Sequence, residues 1–229
     1  MEAAESSPKS EVYNIDCMQY MSLCGDNQFD LAIADPPYGI GITKDGKFKN
    51  RFAGRGKLSD RAFTTRNVQW DNQRPPDYFF EELFRISKNQ IIFGGNYFPL
   101  PPTRCIVVWD KVQPFENMSQ VEIAWTSFEF PAQLFTFDNR KCDAKIHPTQ
   151  KPVQLYNWLL KRFAKQGDMI FDPMMGSQSS RIAAYRNGFD FVGCELDKTF
   201  FDDGCARFEH VCKGITKVKN YTYKQLDLF

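Results

Sequence analysis

Apolar positions along this chain follow two alternating rhythms. Largely apolar runs of strand length occur at 29–34 (FDLAIA), 90–93, 105–109 (CIVVW), 121–125, 133–137, 169–172 and 189–195. Between several of them the spacing changes to threes and fours. Residues 77–88, opened by Pro75-Pro76, place Phe80, Leu83 and Phe84 on one side of a helix, and residues 153–164 do the same with Leu155, Trp158, Leu159 and Phe163. Further helices are expected at 177–186 and 197–211. Asp35-Pro36-Pro37 ends the first strand in a turn, and Gly94-Gly95 ends the second. Strands separated by helices predict an α/β fold with a doubly wound, mainly parallel sheet. Phe79, Phe80, Phe84 and Phe93 are expected in its core. The expected organisation is a polar tail at 1–12, one domain at 13–212 and a C-terminal tail at 213–229.

Composition narrows this picture. The 229 residues suffice for one sizeable domain, and 42% hydrophobic with 25% charged residues is ordinary globular usage. With 29 Lys plus Arg against 28 Asp plus Glu, the net charge is +1, which excludes a protein coated in positive charge. Any nucleic-acid contact has to be concentrated locally. Such a concentration exists at 43–67, where Lys44, Lys47, Lys49, Arg51, Arg55, Lys57, Arg61 and Arg66 face only Asp45 and Asp60. A solvated surface loop and a clamp on phosphates both fit that run, and its place just after the Asp35 turn favours the clamp. Arg140, Lys141 and Lys145, within a possible target-recognition segment at 126–147, are further candidates for phosphate contact.

Seven cysteines without a Cys-x-x-Cys pair, beside only two histidines, argue for reduced thiols rather than a metal site or a disulfide framework. No run approaches the roughly 18 apolar residues of a membrane span. The polar start, with Glu2 and Glu5, is unlike a secretory signal, so a cytoplasmic location is expected.

Two segments carry chemistry. Residues 168–197 read as a strand ending at Asp172-Pro173, a turn with Gly176-Ser177, a helix, and a strand ending at Glu195. An acidic residue 23 positions after Asp172 matches a nucleotide-binding βαβ unit, in which such a residue holds ribose hydroxyls. There is no G-x-G-x-x-G and no phosphate-loop lysine, so a ligand with a ribose and little phosphate fits better than a dinucleotide. A purely structural βαβ unit would look the same. The second segment is Asp35-Pro36-Pro37-Tyr38, at the end of an apolar strand, where open α/β sheets place ligands. An exocyclic amine offers two N–H donors; the Asp35 carboxylate and the Pro36 carbonyl are acceptors, and the prolines add no competing N–H. Tyr38 offers a flat face for a base taken out of the stack.

On these residues the chain resembles the amino-group DNA methyltransferases. D-P-P-Y-G-I at 35–40 looks like their catalytic motif, F-D-P-M-M-G-S at 171–177 like their S-adenosylmethionine motif, and H-P-T-Q-K-P at 147–152 like the segment preceding it. The order, catalytic motif first, resembles the circularly permuted β class, whose best-known members methylate adenine N6. The resemblance spans about 13–207. It implies a Rossmann-like fold and these roles: Asp35, Pro36, Pro37 and Tyr38 orient the target base; Asp172, Pro173, Gly176 and Ser177 hold the methionine part of the cofactor; Glu195 its ribose; Asp16 its adenine. Lys151 would meet the methionine carboxylate, with His147 and Thr149 shaping that loop.

Cytosine C5 chemistry is disfavoured, because no Pro-Cys dipeptide is present. N4-cytosine methylation by the same fold is the near rival; that family more often has Ser at the place of Asp35. The chain departs from the family's D-P-F-x-G-S-G-T-T at Met174, Gln178 and Ser179-Ser180. Gln178 at a normally bare backbone position motivates a second rival, a catalytically silent DNA- or clamp-binding adaptor.

The chain ends Gln225-Leu226-Asp227-Leu228-Phe229, which resembles the pentapeptide by which bacterial DNA-processing proteins bind the replication sliding clamp. Leu226, Leu228 and Phe229 would fill an apolar pocket and Gln225 would make polar contacts, with 217–224 as a tether. The alternative is a tail folding back on its own core. The resemblance therefore implies double-stranded DNA, and this clamp, as partners in a bacterial or phage setting associated with the nucleoid, including restriction-modification. Oligomeric state and target sequence are left open.

Overall fold

The structure, a computed structural model, describes residues 7–40, 71, 73–113, 119–138, 141, 146–147 and 149–213. In chain order its elements are β1 (Ser10–Tyr13), α1 (Cys17–Met21), β2 (Phe29–Ala34), α2 (Asp77–Ile86), β3 (Ser87–Phe93), a 3-10 turn (Gly95–Tyr97), β4 (Ile106–Asp110), β5 (Val121–Thr126), β6 (Gln133–Thr136), α3 (Val153–Phe163), β7 (Met169–Asp172), α4 (Ser179–Arg186), β8 (Asp190–Cys194) and α5 (Lys198–Lys213).

All eight strands join one sheet in the order β1-β8-β7-β2-β3-β5-β4-β6. Among the described strands only β5 runs against the others, pairing antiparallel with β3 and β4. The remaining pairs are parallel, as the alternation of strands and helices predicts. The central strands are largely apolar because both faces of the sheet are covered there. Leu31, Ile33, Ile91, Phe93, Ile170 and Phe191 point into one layer with α3, α4 and α5. Ala32, Ala34, Ile92, Phe171 and Val192 point into the other, with α1 and α2. Of the expected core phenylalanines, Phe79, Phe80 and Phe93 are buried and Phe84 is partly buried against the second layer. The described cysteines are free thiols, mostly buried; Cys142 lies outside the described residues.

The structure corrects several boundaries. The expected tail at 1–12 contains β1, which adds a parallel edge strand to β8 with Ser10 opposite Phe191 and Tyr13 opposite Cys194. Four half-exposed residues carry too little pattern to announce a strand; it is the backbone pairing that makes one. Helix α1 was also not anticipated. The Asp16 carboxylate starts it by accepting the Met18 amide at 2.8 Å. Helix α2 ends at Ile86 rather than 88, because Ser87 and Asn89 already pair with Phe29 and Leu31 in the β2–β3 ladder. Helix α4 begins at Ser179 rather than 177, and α5 runs to Lys213.

Candidate active site

The chain leaves β2 toward β3 on one side of the sheet and leaves β7 toward β8 on the other. β2 and β7 are nevertheless direct neighbours, with Leu31 opposite Ile170 and Ala32 opposite Phe171. Their C-terminal ends therefore flank the point where strand order reverses, the usual ligand crevice of open α/β sheets. Each end carries an Asp-Pro: Asp35-Pro36 just after β2 and Asp172-Pro173 at the end of β7. Tyr156 of α3 lies between them. Burial, followed by the carboxylates of Asp35, Asp172 and Glu122, pushes its phenol well up.

At the β2 end, Asp35 is held at both oxygens. Oδ2 stands 2.5 Å from Lys151 Nζ, and Oδ1 accepts the Tyr38 hydroxyl at 3.0 Å. The Lys151 side chain is only 3% exposed, and its ammonium is also 3.4 Å from Glu122 Oε2 and 4.6 Å from the Phe93 ring centroid. The other Glu122 oxygen binds Lys111 Nζ at 2.9 Å. Two carboxylates and two ammonium groups thus alternate in a partly buried row around the buried Lys151 ammonium, the arrangement that offsets the desolvation of its charge. Burial pulls the Lys151 ammonium down, but Asp35 and Glu122 outweigh it and hold it above the ordinary lysine value. Burial pushes Glu122 up, but Lys151 and Lys111 bring it below the ordinary range. Asp35 is raised by burial, with Lys151 opposing and Glu122 adding to the rise.

The Tyr38 turn is clamped from two sides. Asp71, almost fully buried, accepts the Tyr38 and Gly39 amides on Oδ1 at 2.9 and 3.1 Å. The Tyr38 ring stacks on Tyr97, with centroids 4.9 Å apart and planes 16° apart. It also lies on the backbone of Gly94, whose φ of 69° suits glycine and where any Cβ would collide with the ring. Asp35 and Tyr38, read from sequence as an open acceptor and an open stacking face, are therefore bonded to each other. An amine entering at Oδ1 has to exchange with the Tyr38 hydroxyl.

The β7 end is electrically different. Asp172 is buried, and its bonded partners are neutral: Ser180 Oγ donates at 2.5 Å and the Met174 amide at 3.0 Å. Burial raises its carboxyl to about 7, those two bonds oppose, and the carboxylates of Asp35 and Glu195 add to the rise. Pro173 and Ser177 are buried alongside. Gly176 has φ 49° and donates its amide to Glu195 Oε2 at 2.8 Å, while Glu195 Oε1 accepts the Asp197 amide at 2.9 Å. The acid at the end of β8 thus pins the glycine turn.

His147 lies over that turn, its ring 3.7 Å from where a Cβ on Gly176 would stand and edge-on to Phe200 at 4.3 Å. Burial, then the Lys151 charge, lowers its imidazole to about 4, so it is neutral at pH 7. Asn14 ties the segment before α1 to the Glu195 and Leu196 carbonyls, which brings the Asp16 cap to the same rim.

Gln178 opens α4 with a left-handed φ of 59° and is fully buried. Its side chain points away from the turn. Nε2 donates to the Phe201 carbonyl at 3.2 Å, and Oε1 accepts Arg181 at 2.9 Å. Gly204 on α5 leaves the room: a Cβ there would stand 2.7 Å from Gln178 Cγ. The departure from the glycine-rich pattern is thus absorbed between α4 and α5.

The residues expected from sequence gather into these two clusters. Lys151, expected beside a ligand carboxylate, is bonded to Asp35 and Glu122. Sequence reasoning missed Glu122, Lys111 and Asp71. The signal for Glu122 was present, a lone acid inside the apolar run V-E-I-A-W, which demands a buried partner. Lys44, Lys47, Lys49, Arg51, Arg55 and Lys57 lie outside the described residues, as do Gln225, Leu226, Leu228 and Phe229. So do Arg140 and Lys145, while Lys141 is exposed.

Residues 105–205 match the N6_N4_Mtase family, described as DNA methylase. Type II methyltransferase M2.MboI of Moraxella bovis is 24% identical across 96% of this chain and 94% of its own length. Type II methyltransferase M2.DpnII of Streptococcus pneumoniae is 36% identical over 143 residues, which are 62% of this chain and 50% of that protein. Among solved structures, the M1.HpyAVI–SAM complex superposes with a TM-score of 0.55 at 18% identity, covering 86% of this chain and 98% of that one. The last likeness establishes the fold.

Proposed function

We propose that this chain is an S-adenosylmethionine-dependent DNA methyltransferase that methylates the exocyclic N6 of adenine. The observation that carries the reading is the pair of Asp-Pro turns on neighbouring strands at one switch point. One turn presents an acceptor for an amine, and the other holds a buried carboxylate without a cationic bonded partner. The second turn suits a cationic ligand such as S-adenosylmethionine. Asp172 is the anion, Gly176 and Ser177 supply close backbone, and Glu195, Asp16, Pro173 and His147 line the rim. When bound, the cofactor supplies an electrophilic methyl group on a sulfonium.

The chain's own part is positioning. Asp35 Oδ1 and the Pro36 carbonyl accept the two amine N–H bonds and turn the nitrogen lone pair out of conjugation with its ring. Pro37 keeps the turn rigid, and Tyr38, released from Asp35 and from its stack on Tyr97, stacks on the flipped base. After transfer the nitrogen sheds one proton, for which Asp35 is the adjacent acceptor. Lys151 stays charged and holds Asp35 Oδ2 in place, rather than binding the methionine carboxylate.

Finer parts of the reading extend this proposal. The basic residues of 43–67 clamp DNA phosphates and, with 126–147, read the target. Residues 225–229 dock on a bacterial sliding clamp, which places the protein at replicating DNA in the cytoplasm. No helix among the described residues is long and apolar enough to cross a membrane. The test is incubation with tritiated cofactor and mixed-sequence duplex. Label on N6-methyladenine is expected. Label on N4-methylcytosine would move the activity to the other amino base, and failure to bind cofactor would refute the enzyme reading.

A further inference from the structure

We infer that Glu122 is a positioning residue for the transfer: it anchors the Lys151 ammonium, and Lys151 in turn fixes Asp35 Oδ2, so that only Oδ1 is presented to the incoming amine. The inference rests on the adenine reading above and deepens it.

Glu122 is an acid at the second position of a largely apolar strand, opposite Trp109 in the β4–β5 ladder. One of its oxygens is tied to Lys111 at 2.9 Å. The other, Oε2, is buried, accepts no hydrogen bond and faces Lys151 Nζ at 3.4 Å. An under-bonded buried carboxylate oxygen costs free energy that here only the nearby Lys151 ammonium offsets.

Its effect on Lys151 is geometric. The ammonium is bounded by the Phe93 ring, the Tyr38 hydroxyl, Asp35 and Glu122. Without Glu122, Asp35 would be its one anionic partner there. The two would close into an exclusive pair and withdraw Asp35 from any other donor. With Glu122 present the ammonium is shared and stays on the Oδ2 side. Lys111, bound to the far oxygen and 5.4 Å from the Trp109 ring centroid, keeps Glu122 from turning away.

The charged and titratable groups around Asp35 are therefore Tyr38 on its own turn, Glu122 on β5, Lys111 after β4, Lys151 and His147 before α3, Tyr156 on α3 and Asp172 at the end of β7. Glu122 is the group whose charge raises the proton affinity of Asp35 most among the carboxylates.

The experiment compares the full-length wild type with Glu122→Gln and Glu122→Asp, using tritiated cofactor and mixed-sequence duplex. An inactive wild type would refute the proposed function itself. With an active wild type, Glu122→Gln is expected to lower kcat about 10- to 100-fold, while the Kd for S-adenosylmethionine by calorimetry changes by less than about twofold. The acid limb of its kcat–pH profile should move to lower pH, because the negative charge beside Asp35 is gone. Glu122→Asp should recover part of the rate and keep the acid limb near its original place. A folded Glu122→Gln with unchanged kcat and unchanged acid limb would overturn the inference. So would a loss confined to cofactor affinity. Should Glu122→Gln not fold, Glu122→Asp decides alone: reduced kcat with an unmoved acid limb supports the role, and wild-type kcat rejects it.

Discussion

The two Asp-Pro turns share a dipeptide and sit on neighbouring strands, yet their electrostatics are opposite. Asp35 faces a buried ammonium at 2.5 Å, backed by a second carboxylate and a second lysine. Asp172 faces a hydroxyl and a backbone amide, and its carboxyl rises to about 7. The first turn is an ion pair completed within the fold. The second holds a carboxyl with no cationic bonded partner, protonated more readily than an ordinary aspartate, which suits the ligand cation proposed above once it ionises. The chemistry at each site is therefore set by what neighbouring elements bring to the carboxylate, since the dipeptide is the same.

The sharpest way to break this comparison is to swap the losses. Asp35→Ala should abolish methyl transfer, by about 1,000-fold or more, with cofactor binding retained. Asp172→Asn should do the reverse, weakening cofactor binding strongly while the ligand-free fold survives. Tritium transfer and calorimetry on both variants check this, and equal loss of binding in the two would contradict the division.

Next in size is Lys151→Met, which leaves Asp35 and half of Glu122 as buried unpaired charges. A loss of about 3–5 kcal/mol of unfolding free energy is expected in urea titration. A change as small as that of a surface lysine would show that the ion row is not the anchor described here.

The pH dependence of stability separates the turns again. Asp172 has a folded value near 7, above its unfolded value, so the folded state holds this proton more tightly. Its stabilisation of the ligand-free protein is present below the unfolded carboxylate value and is lost as pH rises toward and through about 7. Ligand-free Tm should fall over that window, and Asp172→Asn should flatten the fall. Affinity for the cationic cofactor should strengthen over the same window, because the carboxylate ionises. A cofactor Kd that is constant from pH 5 to about 8 would count against Asp172 as its counter-ion.

The smallest expected effect concerns the chain's own deviation. Gly204→Ala would force a methyl against Gln178 Cγ and should cost about 1–3 kcal/mol. Gln178→Gly should relieve that loss when combined with it. Thermal melts of the single and double variants measure the coupling.

Much of this was legible in the linear chain. Largely apolar runs announced the strands, and 29–34 and 169–172 are strands with those bounds in the structure. The turn residues that end them announced the chemistry, because strand ends are where an α/β sheet leaves backbone and carboxylates free. Ser10–Tyr13 was not legible, since its pairing with β8 is nonlocal and its four residues carry no periodic signature. Asp71 was not legible either. An acid just past a long basic segment reads as surface, and only the folded chain brings its carboxylate to the amides of Tyr38 and Gly39.

The sequence alone determined the layer architecture, the order of the two motifs and the identities of Asp35 and Asp172, because these follow from local periodicity and side-chain type. The tertiary structure alone decided the charge state of each. It seated Lys151 on Asp35, set Glu122 behind it, closed Tyr38 onto Oδ1 and buried Gln178 against Gly204. The physical reason is that electrostatic energies inside a protein depend on groups a few ångströms apart in space and often far apart along the chain, here Asp35, Glu122 and Lys151.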